Sequence, residues 1–347
     1  MPRRLPPSVS LASALSLSLL LVLSISSGVA AVRLQASPGS ADRARGIEAF
    51  KQQRYREAIS ALQKALKKDG QDYEAWFIVG LALAKTKDLK NAGRSIKQAL
   101  RIKPTSAEAH NGMAYVLLLR NKLPAAVLEA QTALKIDPQL AEPHYFIGVA
   151  RLRMDARKDA LDEAEAAIKT DPRFPPGYLL KSQALVSFYG DVLVSDPKSR
   201  AEKDRNRYRE AATALERYLQ LDPNSENKQT WIEQLESLKV YANSPEPSGD
   251  AAVHSSREVT TKVRVLKKPE PGYTETARQN QTSGTVVLKV VFASDGTVKH
   301  ILVVKGLPDG LTEKSIKAAL GIKFIPATIN GKPASMFMQL EYSFNLY

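Results

Sequence analysis

From Tyr55 to Asp171 apolar positions recur every three to four residues, and that recurrence itself repeats. Ala58, Ala92, Ala126 and Ala160 follow one another with a 34-residue period, as do Ala65, Ala99, Ala133 and Ala167, and Pro104, Pro138 and Pro172. Small residues at two fixed places and a proline closing each period describe paired helices stacked into a solenoid. Repeats begin near Gly39, Tyr73, Ala107 and Ala141, each with Gly or Ala at its eighth position (Gly46, Gly80, Ala114, Gly148). There the helices of a pair must cross closely. Neither helix can bury its apolar stripe alone, so neighbours share a continuous core, and four repeats exceed the three needed for stability. A fifth repeat from Pro175 is stretched: Tyr208, Ala211 and Pro223 come into register only when a 17-residue insertion is set aside. The insertion, near Val186–Arg207 with a turn at Ser195-Asp196-Pro197, is expected to lengthen the helices or add a loop. Trp231–Tyr241 then reads as a closing helix with Leu235 and Leu238 on its buried side.

Residues 242–258 hold two prolines, four serines and almost no bulky apolar side chain, the composition of a linker. As flexible coil it spans roughly 23 Å, so the parts on either side are expected to be tethered without being fused. From Lys262 onward the period changes to two. Val286, Leu288, Val290 and Phe292 alternate with Thr285, Val287, Lys289 and Val291; Asp295-Gly296 turns the chain, and Val298–Lys305 returns. Leu311–Leu320 has helical spacing, with Leu311, Ile316, Ala319 and Leu320 facing inward and Gly321 as its stop. After a turn at Asn330-Gly331 comes the cleanest alternation: Met336, Met338, Leu340, Tyr342, Phe344 and Leu346 on one face, Gln339, Glu341, Ser343 and Asn345 on the other. This predicts a small antiparallel sheet with a helix on one side and a wet second face.

The repeating pattern resembles the tetratricopeptide repeat, with Trp76, Gly80, Ala92, Ala99 and Pro104 as its best-formed instance. Pro271-Gly272-Tyr273, Ala277-Arg278, Gly284-Thr285-Val286, Asp295-Gly296, Phe324 with Pro326-Ala327, and Asn330-Gly331-Lys332-Pro333 together resemble the TonB C-terminal domain. The expected fold class is therefore multidomain: an all-α tetratricopeptide-type solenoid over 39–241, the linker, and a small α+β TonB-like domain over 260–347. The second resemblance implies an envelope protein whose C-terminal domain meets outer-membrane partners in the periplasm, an extended receptor segment adding alongside the last strand. An edge strand offers unpaired N–H and C=O groups to any incoming peptide. Met336–Leu346 has neither proline nor lysine to blunt it, which makes Gln339, Glu341, Ser343 and Asn345 the candidate edge residues. The alternative is a central strand, or an edge covered by Val263–Leu266. Three features depart from the energy-transducing members: Thr274 stands where a proline usually follows the tyrosine, no histidine lies in Leu5–Val32, and no long proline-rich spacer is present.

In the repeats, Phe77, Leu81, Asn111, Tyr115, Tyr145 and Val149 fall where tetratricopeptide proteins line their concave groove, suited to a peptide or partner helix, or else pack against a neighbouring helix. His110 and His144 are one period apart, at a place Trp76 and Tyr178 also occupy, which marks packing rather than a metal pair. His254, His300 and the Asp162–Glu163 pair stand in no catalytic setting, and no phosphate-binding glycine motif occurs. The reading is non-enzymatic, with no cofactor, metal or small-molecule substrate. The formal charge of +14 is spread along the chain, so it carries no argument for nucleic acid.

Arg3 and Arg4 precede an uncharged stretch, Leu5–Val32, with an apolar centre at Leu15–Ile25 and Gly28-Val29-Ala30 after it. A basic start, a short apolar core and small residues describe a signal peptide over 1–31, or a retained anchor. The expected protein is an envelope adaptor binding protein partners at both ends. The alternative is an inner-membrane energy transducer coupled to motor proteins and supporting receptor transport. Cleavage predicts a mature chain beginning near Ala31, read as the intact mass of protein recovered soluble from the periplasm. A full-length mass in the inner-membrane fraction would favour the transducer.

Overall fold

The computed structural model describes residues 39–188, 197–225, 227–243 and 252–346. The N-terminal segment 1–31, Ser195-Asp196 and the centre of the linker lie outside them. Among the described residues, nine consecutive helices of similar length form a tetratricopeptide-like solenoid: α1 (Ser40–Lys51), α2 (Tyr55–Lys68), α3 (Tyr73–Lys85), α4 (Leu89–Ile102), α5 (Ala107–Leu119), α6 (Leu123–Ile136), α7 (Ala141–Arg153), α8 (Arg157–Thr170) and α9 (Pro175–Ser187). The described residues divide into two compact units, one within Ser18–Asp155 and Ala166–Pro172, the other within Ala156–Glu165 and Arg173–Tyr347.

In the first unit the turn inside each helix pair is set by one residue in the left-handed region: Gln53, Lys87, Asn121 and Asp155, with φ from 55° to 68°. They recur with the same period as the alanines. Each lets the following N–H reach back over the helix end, as Arg54 N–H does to Ala49 O and Lys122 N–H to Leu117 O. Asp72, Asp88 and Ser106 cap the helices that follow them by accepting from a backbone N–H three residues on. The close crossings at the eighth position are real: a Cβ on Gly80 would stand 2.4 Å from Ile96 Cγ1, and one on Gly46 2.5 Å from Leu62 Cγ.

In the second unit the stretched repeat resolves as one long helix, α10 (Pro197–Leu221), followed by α11 (Lys228–Asn243), which buries Trp231, Leu235, Leu238 and Tyr241. Then come β1 (Val253–His254), β2 (Arg264–Lys267), α12 (Glu275–Gln279), β3 (Gly284–Phe292), β4 (Val298–Lys305), α13 (Leu311–Leu320), β5 (Lys323–Ile325), β6 (Ala327–Ile329) and β7 (Lys332–Phe344). The main sheet runs β1-β7-β3-β4, with β6 folded onto the start of β7, while β2 and β5 pair apart from it. Strands β3 and β7 are antiparallel without a slip from Gly284 opposite Phe344 to Phe292 opposite Met336. One face buries Val286, Leu288, Val290, Phe292, Leu340, Tyr342 and Phe344 against Leu311, Ala318 and Ala319 of α13. Phe292 and Phe324 meet edge-on at 4.5 Å.

The second face is not wet as the alternation implied. Val291, Leu302 and Val304 share a core with Tyr208, Leu235, Leu238 and Tyr241, so α10 and α11 pack on the sheet and the linker does not hold it apart. The reason lies in composition: this face carries Val287 and Val291 beside Lys289, and α11 has an apolar stripe that needs a partner. Water reaches the sheet at Gln339, Glu341 and Ser343. Two further positions differ from expectation. Leu320 is exposed at the end of α13, and β7 stops at Phe344, which leaves Asn345 and exposed Leu346 beyond the strand.

Leu340 lies opposite Leu288 in the buried face. Leu340→Asp is therefore expected to abolish the cooperative melt of this unit, at a cost of roughly 3 kcal/mol or more from a buried unpaired charge. Gln339→Ala should stay within about 0.5 kcal/mol. Thermal and denaturant melts followed by circular dichroism test both, and a Leu340→Asp protein that melts as before would refute the face assignment.

Candidate functional site

A sheet binds an extended chain only where an edge is open, so its two outer strands decide what it can do. The β4 edge is closed by α11. Gln234 Nε2 donates to Ile301 O at 2.8 Å and its Oε1 accepts from Val303 N–H at 3.0 Å, so one carboxamide satisfies the strand as a neighbouring backbone would. Tyr241 donates its hydroxyl to His300 O at 3.0 Å. That carbonyl is turned outward by a bulge: His300 has φ 46°, and the β3–β4 register slips between Lys289 and Val291. Burial, helped by Lys299, holds the His300 ring below its ordinary pKa.

Behind this contact lies Lys289 on β3. Its ammonium donates to Tyr208 Oη at 3.2 Å and stands 4.7, 4.4 and 5.3 Å from the ring centres of Tyr208, Tyr241 and Phe337. Burial pulls its pKa down to about 8, opposed by Asp204 on α10 and by the three aromatic faces, which attract the cation.

The opposite edge is β7. Strand β6 occupies it from Lys332 to Ala334, and β1 lies parallel at Ser335 and Met336. From Phe337 to Phe344 no strand covers it among the described residues, and β2 pairs with β5 rather than here. Lys268 reaches in: its ammonium donates to Glu341 O at 2.8 Å and stands 4.4 Å from the Tyr342 ring centre. A carbonyl met from this side points away from β3, so the alternate residues Phe337, Gln339, Glu341 and Ser343 turn their backbone groups outward. Burial pushes the Tyr342 phenol up to about 12.

Of the expected edge residues, Gln339, Glu341 and Ser343 lie exposed on this stretch, while Asn345 lies past its end. Gln339 Nε2 donates to Glu341 Oε1 at 2.8 Å, which fills out the side of the strand without touching its backbone. The expected groove residues are placed differently. Phe77, Leu81, Asn111, Tyr115 and Tyr145 are buried, and Val149 is half-buried. Phe77 Cε2 stands 2.8 Å from where a Cβ on Gly112 would be, and Leu81 packs beside it. Tyr115 stacks on Phe146 at 5.8 Å, and Tyr145 meets the same ring at 5.7 Å. These side chains join one first helix to the next, which removes most of their surface from any partner. His110 behaves as its repeat position predicts: its Nε2 contacts Pro104 O at 3.0 Å, as Trp76 Nε1 does Gly70 O, each six residues back. Its Nδ1 meets Glu129 at 2.6 Å. Among the described residues no group of three or more His, Asp or Glu is placed to hold a metal.

Gln234 and Lys289 were not singled out from sequence. The available signal was a glutamine on an apolar helical stripe, between Trp231 and Leu238, and a lysine alternating with valines.

The architecture is that of helical repeats ahead of a small mixed sheet with one open edge. Comparison with known proteins agrees. A family model described as Tetratricopeptide repeat matches residues 43–107, and one described as Gram-negative bacterial TonB protein C-terminal matches 269–346. The chain thus carries tetratricopeptide repeats and a TonB-type C-terminal domain. Tetratricopeptide and TonB-like families are non-catalytic adaptors, and the second implies a Gram-negative envelope protein. Among solved structures, a thermophilic TPR protein of Thermus thermophilus is 16% identical, with 58% of this chain and 100% of that one covered and a TM-score of 0.47. PilW, a type IV pilus biogenesis factor, is 19% identical over 60% and 95%, with a TM-score of 0.43. MamA is 20% identical over 55% and 94%, with a TM-score of 0.40. No curated protein matches the sequence. No helix of the described residues is long and apolar enough to cross a membrane.

Because Lys289 holds its proton less tightly when folded (about 8) than an unfolded lysine does (about 10.4), the unfolded chain binds more protons between those values. Stability of this unit should therefore rise with pH from about 8 to about 9.5, by roughly 1–2 kcal/mol. Lys289→Met should fold and lose that slope. Denaturant midpoints across this range check it; an equal slope in both proteins would assign the effect elsewhere.

Proposed function

We propose that this protein is a non-enzymatic adaptor of the cell envelope, whose TonB-like sheet takes an extended segment of an outer-membrane protein as an added strand on β7. The observation that carries this is the asymmetry of the sheet: Gln234 closes the β4 edge, while Phe337–Phe344 of β7 lies without a strand partner among the described residues. The incoming strand bonds to the outward groups of Phe337, Gln339, Glu341 and Ser343. The side chains of Gln339, Glu341 and Ser343 flank it and select among partners. Lys268 gives up Glu341 O when the segment arrives.

The repeats hold a second protein partner. Because Phe77, Leu81, Asn111, Tyr115 and Tyr145 are buried and Val149 is half-buried, partner contact falls mainly on neighbouring exposed positions. Energy transduction needs in addition a retained N-terminal anchor in Leu5–Val32 and an inner-membrane motor.

A photoreactive residue at Ser343 should cross-link, in intact cells, to an outer-membrane protein. Glu341→Pro removes an outward N–H and should abolish that cross-link while keeping the cooperative melt, since proline is tolerated on an edge. Cross-linking that survives Glu341→Pro would count against strand addition.

A further inference from the structure

The ribbon of β2 and β5 carries apolar side chains that the fold leaves in water. Val265 and Leu266 on β2, Ile325 on β5 and Leu320 at the end of α13 are four of the eight large apolar side chains exposed among the described residues. Every residue of β2 is exposed. Arg264 lies opposite Ile325 and Val265 opposite Phe324; the register then slips before Lys267, which leaves Leu266 with no residue opposite it and 59% exposed. Pro269 sits against Gly321 at the end of α13, so the chain leaving β2 and the helix leading to β5 meet there.

The charges around these side chains are mostly of one sign. Lys262, Arg264, Lys267, Lys268 and Lys323 are all exposed, against the single acid Glu270 between 260 and 270. Lys267 and Lys323 are direct partners across the ribbon. Like charges set opposite each other repel. Neither forms an ion pair among the described residues, so the ribbon holds a repulsion that an anion between the two ammonium groups would relieve.

We propose that this ribbon seats on an anionic phospholipid surface, with Leu266 and Ile325 entering the boundary between headgroups and acyl chains. Arg264, Lys267 and Lys323 lie among the phosphates. Basic residues interleaved with exposed apolar ones are the composition of an interfacial anchor. A bilayer fits better than an acidic peptide because β2 is exposed along its whole length and forms no groove for one. The inference is independent of strand addition at β7.

The chain has no cysteine, so Leu266→Cys carries a single fluorophore in the full-length protein, and Lys97→Cys on α4 serves as the control. The proteins are reconstituted with vesicles of phosphatidylcholine alone or with phosphatidylglycerol added, each containing nitroxide-labelled lipid. A blue shift and quenching of the label at 266, with anionic vesicles only, is expected. High salt should remove most of it, as should Lys267→Glu combined with Lys323→Glu, whose unchanged melt shows that the fold is kept. Equal quenching in both lipids, or equal quenching at position 97, would overturn charge-directed seating. So would a label that shifts with polyglutamate and not with anionic vesicles, which would assign the ribbon to an acidic protein segment.

Discussion

The second unit depends on the seam between α11 and β4. A helical repeat array must end somewhere, and its last apolar stripe must be covered. Here Trp231, Leu235, Leu238 and Tyr241 find that cover in Val291, Leu302 and Val304 of the sheet. Apolar burial supplies the driving force, but it has no preferred register. Direction comes from the Gln234 carboxamide, whose donor and acceptor meet the carbonyl of Ile301 and the amide of Val303, and from the Tyr241 hydroxyl on the His300 carbonyl. A buried strand edge without such partners would leave donors and acceptors unpaired at about 1–3 kcal/mol each. The same seam encloses Lys289, so a cation is held where the two layers meet.

Much of this architecture was legible in the residues. The regular step of the alanines marked the helix pairs, the alternation from Met336 assigned the buried face of β7, and Gly321 marked the end of α13. These features are local or periodic, and a side chain's face follows from its spacing. What spacing cannot give is the neighbour beyond the element. Spacing puts Phe77 and Leu81 on one side of α3, yet their exposure depends on Gly112 in the next repeat, whose missing side chain lets them sink in. The second face of the sheet mixes Thr285 and Lys289 with Val287 and Val291, and alternation alone does not show that α10 and α11 cover it. Gln234 meets its acceptor far along the chain, in β4, a contact with no periodic trace. Among the candidate edge residues, Gln339, Glu341 and Ser343 lie where the alternation put them, while Asn345 lies beyond the last bonded pair of β3 and β7.

The repeats keep strict internal geometry through positions that sequence reading treats as ordinary. Gln53, Lys87, Asn121 and Asp155 hold left-handed backbone without glycine. Each conformation costs of order 1 kcal/mol, and the helix-end hydrogen bonds around it offset that cost. Such turns set how each helix pair closes.

The closed β4 edge also limits how copies of this protein can associate. A sheet grows into a fibre only if each copy offers two free edges, one to receive and one to donate. Among the described residues this main sheet offers one. Two molecules joined through their β7 strands would leave no further edge for a third, and the chain reaction that builds cross-β aggregates would stop at a pair. A glutamine side chain on a helix thus serves as a chain terminator for self-assembly.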